Sequence, residues 1–299
     1  MPQPYSFGII GFPLSHSLSP LMHKAALDSL QLSGEYKTYP LSPDRDGRFE
    51  LARLVDAVRN GHIDGLNVTI PYKSTVIEYL DVLSSIASAI GAVNTIYFQD
   101  RQVYGENTDA PGFSVDLSKL LRRELASVVS SLASPGALVL GAGGSARAVV
   151  FTLAAAGWQV FLAARNIDQA WQIVHDFSTA IQKAITISPI KYTIECIAEV
   201  GSKIDLIVNT TPVGMYPNIA GTPWPGGLEF PPGVVVYDLI YNPGETMLMR
   251  MARESGLTAT NGLGMLVEQA ALAFKLWTGC EAPLAMMRKA AEISLSAGF

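Results

Sequence analysis

The chain has 299 residues, 49% hydrophobic and 16% charged, with a formal net charge of −5. That length points to two domains, and the composition to a globular chain that can build its core without disulfides or a structural metal. The mild negative charge excludes nonspecific nucleic-acid or anionic-membrane binding, which needs a basic face, but not a small anionic ligand held by a few local cations. Cys196 and Cys280 form no CxxC pair and have no histidine at metal spacing, so two reduced thiols in a cytoplasmic protein are expected. Met1-Pro2-Gln3-Pro4-Tyr5 carries neither the basic nor the long apolar region of a signal peptide. The uncharged stretch Ala148 to Ala164 is split by Gly157 and reads as two buried elements joined by a turn, not a membrane span.

In chain order, Tyr5 to Ile10 reads as a first strand. A helix follows the loop Gly11 to Leu18, with Ser19 expected as its N-cap and Pro20 in its first position. Leu51, Leu54, Val55 and Val58 share one helical face, and Gly61 is expected to end that helix. Gly65 to Ile70 reads as a strand stopped by Pro71, and Ala92 to Phe98 with Gln102 to Tyr104 as a hairpin around Gln99-Asp100-Arg101. A helix is expected from Asp109 to Arg123. After Ser134-Pro135-Gly136 strands and helices alternate: strands Ala137 to Leu140 and Val160 to Ala164, helices Ser145 to Ala156 and Asp168 to Lys183. Further buried strands are expected at Ile204 to Asn209 and Val234 to Leu239. This alternation implies an α/β fold with a mostly parallel sheet. Pro212 to Gly233, rich in Gly and Pro, reads as a long functional loop, and Ala259 to Gly264 leads into a helical tail broken by Pro283.

The strand ending at Leu140 runs into Gly141-Ala142-Gly143-Gly144-Ser145-Ala146 and then a helix. Gly141 permits the tight turn, Gly143 removes a side chain where backbone must approach a pyrophosphate, and Ala146 keeps helix and strand close. The helix N-terminus offers free N–H groups to the anion. At the end of the next strand a carboxylate would favour NAD; here stands Arg165, which can pair with a 2′-phosphate, so NADP is expected.

Three polar clusters lie outside this unit. Ser17 and Ser19 flank a helix N-terminus and suit a carboxylate, although Ser19 can equally serve only as a cap. Asn67 and Thr69 are two apart on a predicted strand, hence on one face, and Lys73 follows the break at Pro71. Asn94-Thr95 and Asn107-Thr108-Asp109 form the third, with Asp109 opening a helix whose dipole it complements. His62 and His175 read as surface or loop residues.

Together the patterns resemble the shikimate dehydrogenase family over nearly the whole chain. The resemblance rests on Gly11-x-Pro13-x-x-His16-Ser17-x-Ser19-Pro20, Asn67-Val68-Thr69-Ile70-Pro71-Tyr72-Lys73, Gly91-Ala92-Val93-Asn94-Thr95 and Asn107-Thr108-Asp109-x-x-Gly112. It continues through Gly141-Ala142-Gly143-Gly144, Asn209-Thr210-Thr211-Pro212-x-Gly214-Met215, Tyr237-Asp238-x-x-Tyr241-Asn242-Pro243 and Asn261-Gly262-x-Gly264-Met265-Leu266-Val267-x-Gln269. It implies an α/β substrate domain (residues 1–108 with 263–299) to which C-terminal helices return, and a Rossmann-like NADP-binding domain (109–262). It also implies reversible reduction of 3-dehydroshikimate to shikimate with NADPH, an oxidation or reduction at CH–OH in chorismate and aromatic amino acid biosynthesis. A small polar substrate held between the two domains, no nucleic-acid or membrane partner, and a homodimer as the candidate assembly complete the expectation.

By the resemblance, Lys73 and Asp109 form the catalytic pair. Ser17, Ser19, Asn67, Thr69, Asn94, Tyr241 and Gln269 hold the substrate. Gly141, Ala142, Gly143, Gly144, Ser145, Arg165, Asn209, Thr210, Leu239 and Gly262 hold the cofactor. Hydride delivery to a ketone builds negative charge on its oxygen, which a protonated Lys73 can stabilise and then protonate. No metal is required, and no metal-ligand cluster is visible. Two positions depart from the family pattern. Lys24 follows His23 where Asn is frequent, and Ala164-Arg165-Asn166 replaces Asn-Arg-Thr, which keeps the cation but weakens the expected discrimination against NAD. A quinate/shikimate dehydrogenase using NAD or both cofactors is the rival within enzymes. A noncatalytic ligand-sensing homologue is the rival outside them, disfavoured by the presence of both Lys73 and Asp109.

Overall fold

The computed structural model describes residues 3–43, 45–122, 135–180 and 186–297. The expected helix ends at Arg123 and Lys183, and Ser134 of the expected turn, lie outside the described residues. The chain divides into two compact units, Met1–Gly112 with Leu266–Phe299, and Phe113–Met265.

The first unit contains β1 (Tyr5–Gly11), α1 (Ser19–Ser29), β2 (Gly34–Pro40), α2 (Arg45–Arg59), β3 (Gly65–Val68), β4 (Val82–Leu83), α3 (Ser85–Ile90), β5 (Thr95–Gln99) and β6 (Gln102–Glu106). Its sheet runs β2-β1-β3-β5-β6-β4. The first three strands in this order are parallel, β5 is antiparallel to both β3 and β6, and β4 is parallel to β6. Leu51, Val55 and Val58 of α2 are fully buried, and Gly61 ends the run with φ +71°. That conformation is open to glycine at little cost. The hairpin turn is Asp100-Arg101, with φ 50° and 63°, matching the sense that the strand twist demands.

Three local expectations are corrected. Leu18, not Ser19, is the N-cap of α1, and no side chain caps that helix. Leu18 is already helical (φ −83°, ψ −8°), so Ser19 lies inside the first turn, where its buried hydroxyl faces other partners. The strand β3 ends at Val68: the Val68 amide turns to Asn94 O and that of Thr69 to Ile10 O, while Pro71 has no amide to prolong the ladder. Thr69 therefore stands just past the strand. In the hairpin the first strand starts at Thr95 instead of Ala92, because Val93 N is taken by the carbonyl of Lys73.

The second unit contains β7 (Gly136–Leu140), β8 (Gln159–Ala164), β9 (Ile187–Lys191), β10 (Leu206–Asn209), β11 (Val235–Asp238) and β12 (Ala259–Thr260), every pair parallel. The order is β12-β11-β10-β7-β8-β9. The chain winds outward in one direction from β7 and in the other from β10, so the order reverses between these two strands, where a doubly wound sheet opens a ligand crevice. Alternate residues serve two cores: Ala137, Val139, Val160 and Leu162 face one side, Leu138, Leu140, Phe161 and Ala163 the other. Helix α4 (Asp109–Leu121) leads into the unit. Helices α5 (Gly144–Ala155), α6 (Ile167–Ala180), α7 (Ile194–Val200) and α8 (Met247–Glu254) complete it. Gly157, with φ +92°, joins α5 to β8 as the composition suggested. No described helix is long and apolar enough to cross a membrane.

The tail forms α9 (Leu263–Thr278) and α10 (Leu284–Ser296), separated at Pro283, and α10 packs on α1. Trp277 of α9 donates to Ile96 O at 3.0 Å and stacks on Phe7, which ties the last segment of the chain into the first sheet.

Candidate active site

In the first unit, the turn after β3 and the start of α4 bring Lys73 and Asp109 together. Lys73 Nζ donates to Asp109 Oδ2 at 2.5 Å, and the side chains keep only 13% and 8% of their surface exposed. A buried ion pair of this kind needs further hydrogen bonds to be tolerated. Asn94 provides one, its Nδ2 donating to Asp109 Oδ1 at 2.9 Å. The same amide reaches Thr108 Oγ1 at 2.9 Å and Gln269 Oε1 at 3.3 Å, while its Oδ1 accepts the Thr108 amide at 2.7 Å. Asn107 Oδ1 accepts the amide of Ala110 in the first turn of α4 and so fixes where Asp109 begins. Gly112 allows Gln269 this close: a Cβ there would stand 2.9 Å from the Gln269 amide nitrogen.

Asn67 lies next to this cluster. Its Nδ2 is 3.3 Å from both Asn94 O and Thr95 Oγ1, and its Oδ1 accepts from Tyr36 at 2.7 Å. Ser19 lies beside the Tyr36 hydroxyl, and its amide donates to Ser17 Oγ at 3.4 Å. The structure thus joins Ser17, Ser19, Asn67, Asn94, Gln269, Asp109 and Lys73 in one polar patch. Thr69 is instead held against β1, its amide donating to Ile10 O and its methyl lying against Gly11. Tyr241 belongs to the second unit, and burial pushes its hydroxyl up to about 12, so it remains a donor at neutral pH.

His23 and Tyr36 were not expected here. The His23 ring is fully buried and stacks on Tyr36 at 4.5 Å and 8°. Burial lowers its pKa to about 3 against a weaker opposing contact with Asn67, so it is neutral and adds no charge beside the ion pair. Tyr36 as a residue is half-buried, but its hydroxyl end is enclosed, which raises the phenol well above its ordinary value. His62 and His175 are exposed, in line with the sequence reading.

In the second unit the glycine turn sits at the C-terminal end of β7, beside β10. Gly141 has φ +106°, and a Cβ there would lie 2.7 Å from Thr210 Oγ1. A Cβ on Gly143 would meet no protein atom within 4 Å. Protein packing therefore does not require a bare backbone at Gly143. No side chain caps α5, whose N-cap is Gly143, so no side chain occupies the first N–H groups of the helix, which an anion could accept from. Arg165 is exposed immediately after β8. Asn166, the departure from the family pattern, is used locally: its Oδ1 accepts the Asp168 amide at 3.1 Å in the first turn of α6.

The residues after β10 are held internally. Thr210 Oγ1 donates to Leu140 O at 2.7 Å, and Asn209 Oδ1 accepts from the Thr211 amide and hydroxyl. Asn209 Nδ2 donates to Asp238, which also accepts from Thr246 and the Ile240 amide. Leu239 and Gly262 meet, since a Cβ on Gly262 would fall 2.1 Å from Leu239 O. Burial outweighs the three donors at Asp238 and raises its pKa from 3.8 to about 6. The native state therefore holds this proton between those values while the unfolded chain has lost it. Asp238 contributes fully below about pH 4, and its contribution is lost as the pH rises through about 6. The expected size is on the order of 3 kcal/mol. Denaturant melts of the parent and Asp238→Asn across this range should differ in slope; parallel pH curves would contradict the assignment.

Among the described residues no group of three or more His, Cys, Asp and Glu could hold a metal. The apparatus is thus a buried lysine–carboxylate pair in an amide-rich patch, with an anion-binding turn and an exposed arginine on a doubly wound sheet.

Residues 9–96 match the model of the shikimate dehydrogenase substrate binding domain, and residues 262–292 that of the shikimate 5'-dehydrogenase C-terminal domain. The chain is 40% identical over 284 residues to a shikimate dehydrogenase (NADP(+)) of Methanopyrus kandleri, covering 95% of this chain and 93% of that one. Among solved structures, it is similar to shikimate 5-dehydrogenase from Thermus thermophilus in complex with NADP(H) and shikimate, at 35% identity and TM-score 0.80, covering 97% and 100% of the two chains. It is also similar to quinate dehydrogenase from Corynebacterium glutamicum in complex with NAD, at 30% identity and TM-score 0.84, covering 98% and 99%.

Proposed function

Because the chain belongs to the shikimate dehydrogenase family, we propose that its sites carry the family reaction, reduction of 3-dehydroshikimate to shikimate with NADPH and its reverse. The observation that carries this reading is the Lys73–Asp109 pair at 2.5 Å, supported by Asn94 and Gln269. NADPH, when bound, supplies the hydride. Gly141, Ala142, Gly143, Gly144 and Ser145 fit its pyrophosphate by backbone N–H groups, and Arg165 fits the 2′-phosphate by charge. Asn209, Thr210, Leu239 and Gly262 shape the adjoining strand ends.

Ser17 and Ser19 hold the substrate carboxylate, with Thr69 beside them. Asn67, Asn94, Gln269 and Tyr241 hold carboxylate or ring hydroxyls. As charge grows on the reacting oxygen, the Lys73 ammonium stabilises it and gives up a proton to it; in the reverse direction Lys73 takes the hydroxyl proton. Asp109 orients Lys73 and balances its charge. The enzyme acts in chorismate biosynthesis on a small-molecule substrate, in the cytoplasm.

Quinate differs from shikimate at the ring carbon bearing the carboxylate, so the choice between them falls at Ser17, Ser19 and Thr69. The paired serines and the Asn-Val-Thr run favour shikimate. Initial rates with shikimate and quinate, each with NADP and NAD, should give the highest kcat/KM for shikimate with NADP. A higher value for quinate with NAD would overturn the assignment.

A further inference from the structure

The hydrogen bonds of the first unit form a chain with one direction. Asn67 Oδ1 can only accept, so the single Tyr36 proton goes to it at 2.7 Å. Asn67 Nδ2 donates to Thr95 Oγ1 at 3.3 Å, and Thr95 Oγ1 donates to Asn94 Oδ1 at 3.3 Å. Asn94 Nδ2 donates to Asp109 Oδ1 at 2.9 Å, and Lys73 closes the far side of that carboxylate. Both amide orientations are dictated by partners of fixed character. Asn67 Nδ2 faces the Asn94 carbonyl, and Asn94 Oδ1 faces the Thr108 amide. Aligned donors polarise one another, and the enclosed setting raises the cost of breaking any one link.

From this we infer that Thr95 and Tyr36 are positioning residues, joining Asn67 to the acid–base end at Asp109 and Lys73 through a buried side-chain relay. Thr95 has no exposed surface, and its hydroxyl lies between Asn67, Asn94 and Thr108. It acts through Asn94. Asn67 spends both amide hydrogens on Asn94 O and Thr95, so much of its effect also passes along the relay. Tyr36 is steadied by its stack on His23 and holds Asn67 Oδ1.

The inference rests on the reaction proposed above, and three variants separate it from a merely structural role. Thr95→Val removes the hydroxyl at nearly constant shape, Thr95→Ser keeps the hydroxyl and removes the methyl, and Tyr36→Phe keeps the ring on His23. Thr95→Val should lower kcat about fivefold or more, and Thr95→Ser should restore most of it. Tyr36→Phe should chiefly raise KM for shikimate by about the same factor, with KM for NADP unchanged in all three. The relay is overturned if Thr95→Ser is as impaired as Thr95→Val, or if Thr95→Val and Tyr36→Phe match the parent in kcat and shikimate KM. A parent protein that does not turn over shikimate at all would instead condemn the proposed reaction, and the relay as a device of it.

Discussion

Lys73→Ala is expected to lower kcat by about 10²–10⁴-fold in either direction, the range that a positioned general acid–base group contributes. KM or Kd for NADP should be nearly unchanged, because Lys73 lies in the turn after β3 in the first unit and the glycine turn lies in the second. The substitution also strands the Asp109 carboxylate with Asn94 as its remaining side-chain donor. Some loss of stability accompanies it, since a buried charge loses its partner. Thermal melts run beside single-turnover rates separate the two effects. A folded variant with parental turnover would remove Lys73 from the chemistry and leave the site without its proton donor.

The second large effect is expected at Arg165. Reversing its charge with Arg165→Glu replaces an attraction for the 2′-phosphate by a repulsion and offers a carboxylate to a free ribose hydroxyl. The loss of one charged hydrogen-bonded contact, about 2–3 kcal/mol, corresponds to roughly 30–150-fold in kcat/KM with NADP. NAD should be used as well as before or better. The neighbours sharpen this expectation: Ala164 is buried and apolar, and Asn166 is engaged with the Asp168 amide. Arg165 is therefore the charged member of the three residues where discrimination is decided. Equal losses with NADP and NAD in the variant would point to a structural role for Arg165.

Much of this was legible in the sequence. The βα alternation from Ala137 onward produced the parallel sheet, because strands covered on both faces are apolar throughout and their glycine turns are sharp. The stripe Leu51, Val55, Val58 and its stop at Gly61 followed from helical period and left-handed backbone. Less visible was β2, an edge strand whose Glu35, Lys37 and Thr38 face solvent and whose two aromatics, Tyr36 and Tyr39, stand three apart and so break the strand's period of two. Missing that strand meant missing Tyr36. Polar residues gathered by tertiary structure show no spacing either: Tyr36, Asn67, Thr95 and Asn94 come from three strands and a loop, and only the folded sheet sets them in a line. The error at Ser19 has a similar origin. A Ser-Pro pair signals a helix start, but whether the serine caps it depends on the backbone of Leu18, set by the packing of the preceding loop. Gly143 was expected to leave room for a pyrophosphate, and a Cβ there would meet no protein atom within 4 Å.

The most direct measurement is product identification when the protein is mixed with 3-dehydroshikimate and a stoichiometric amount of NADPH. NADPH is expected to be consumed and shikimate formed one for one, as read by proton NMR, with Lys73→Ala yielding almost none in the same time. Consumption of NADPH without shikimate, or no consumption by a folded protein that binds NADPH, would contradict the proposed reaction.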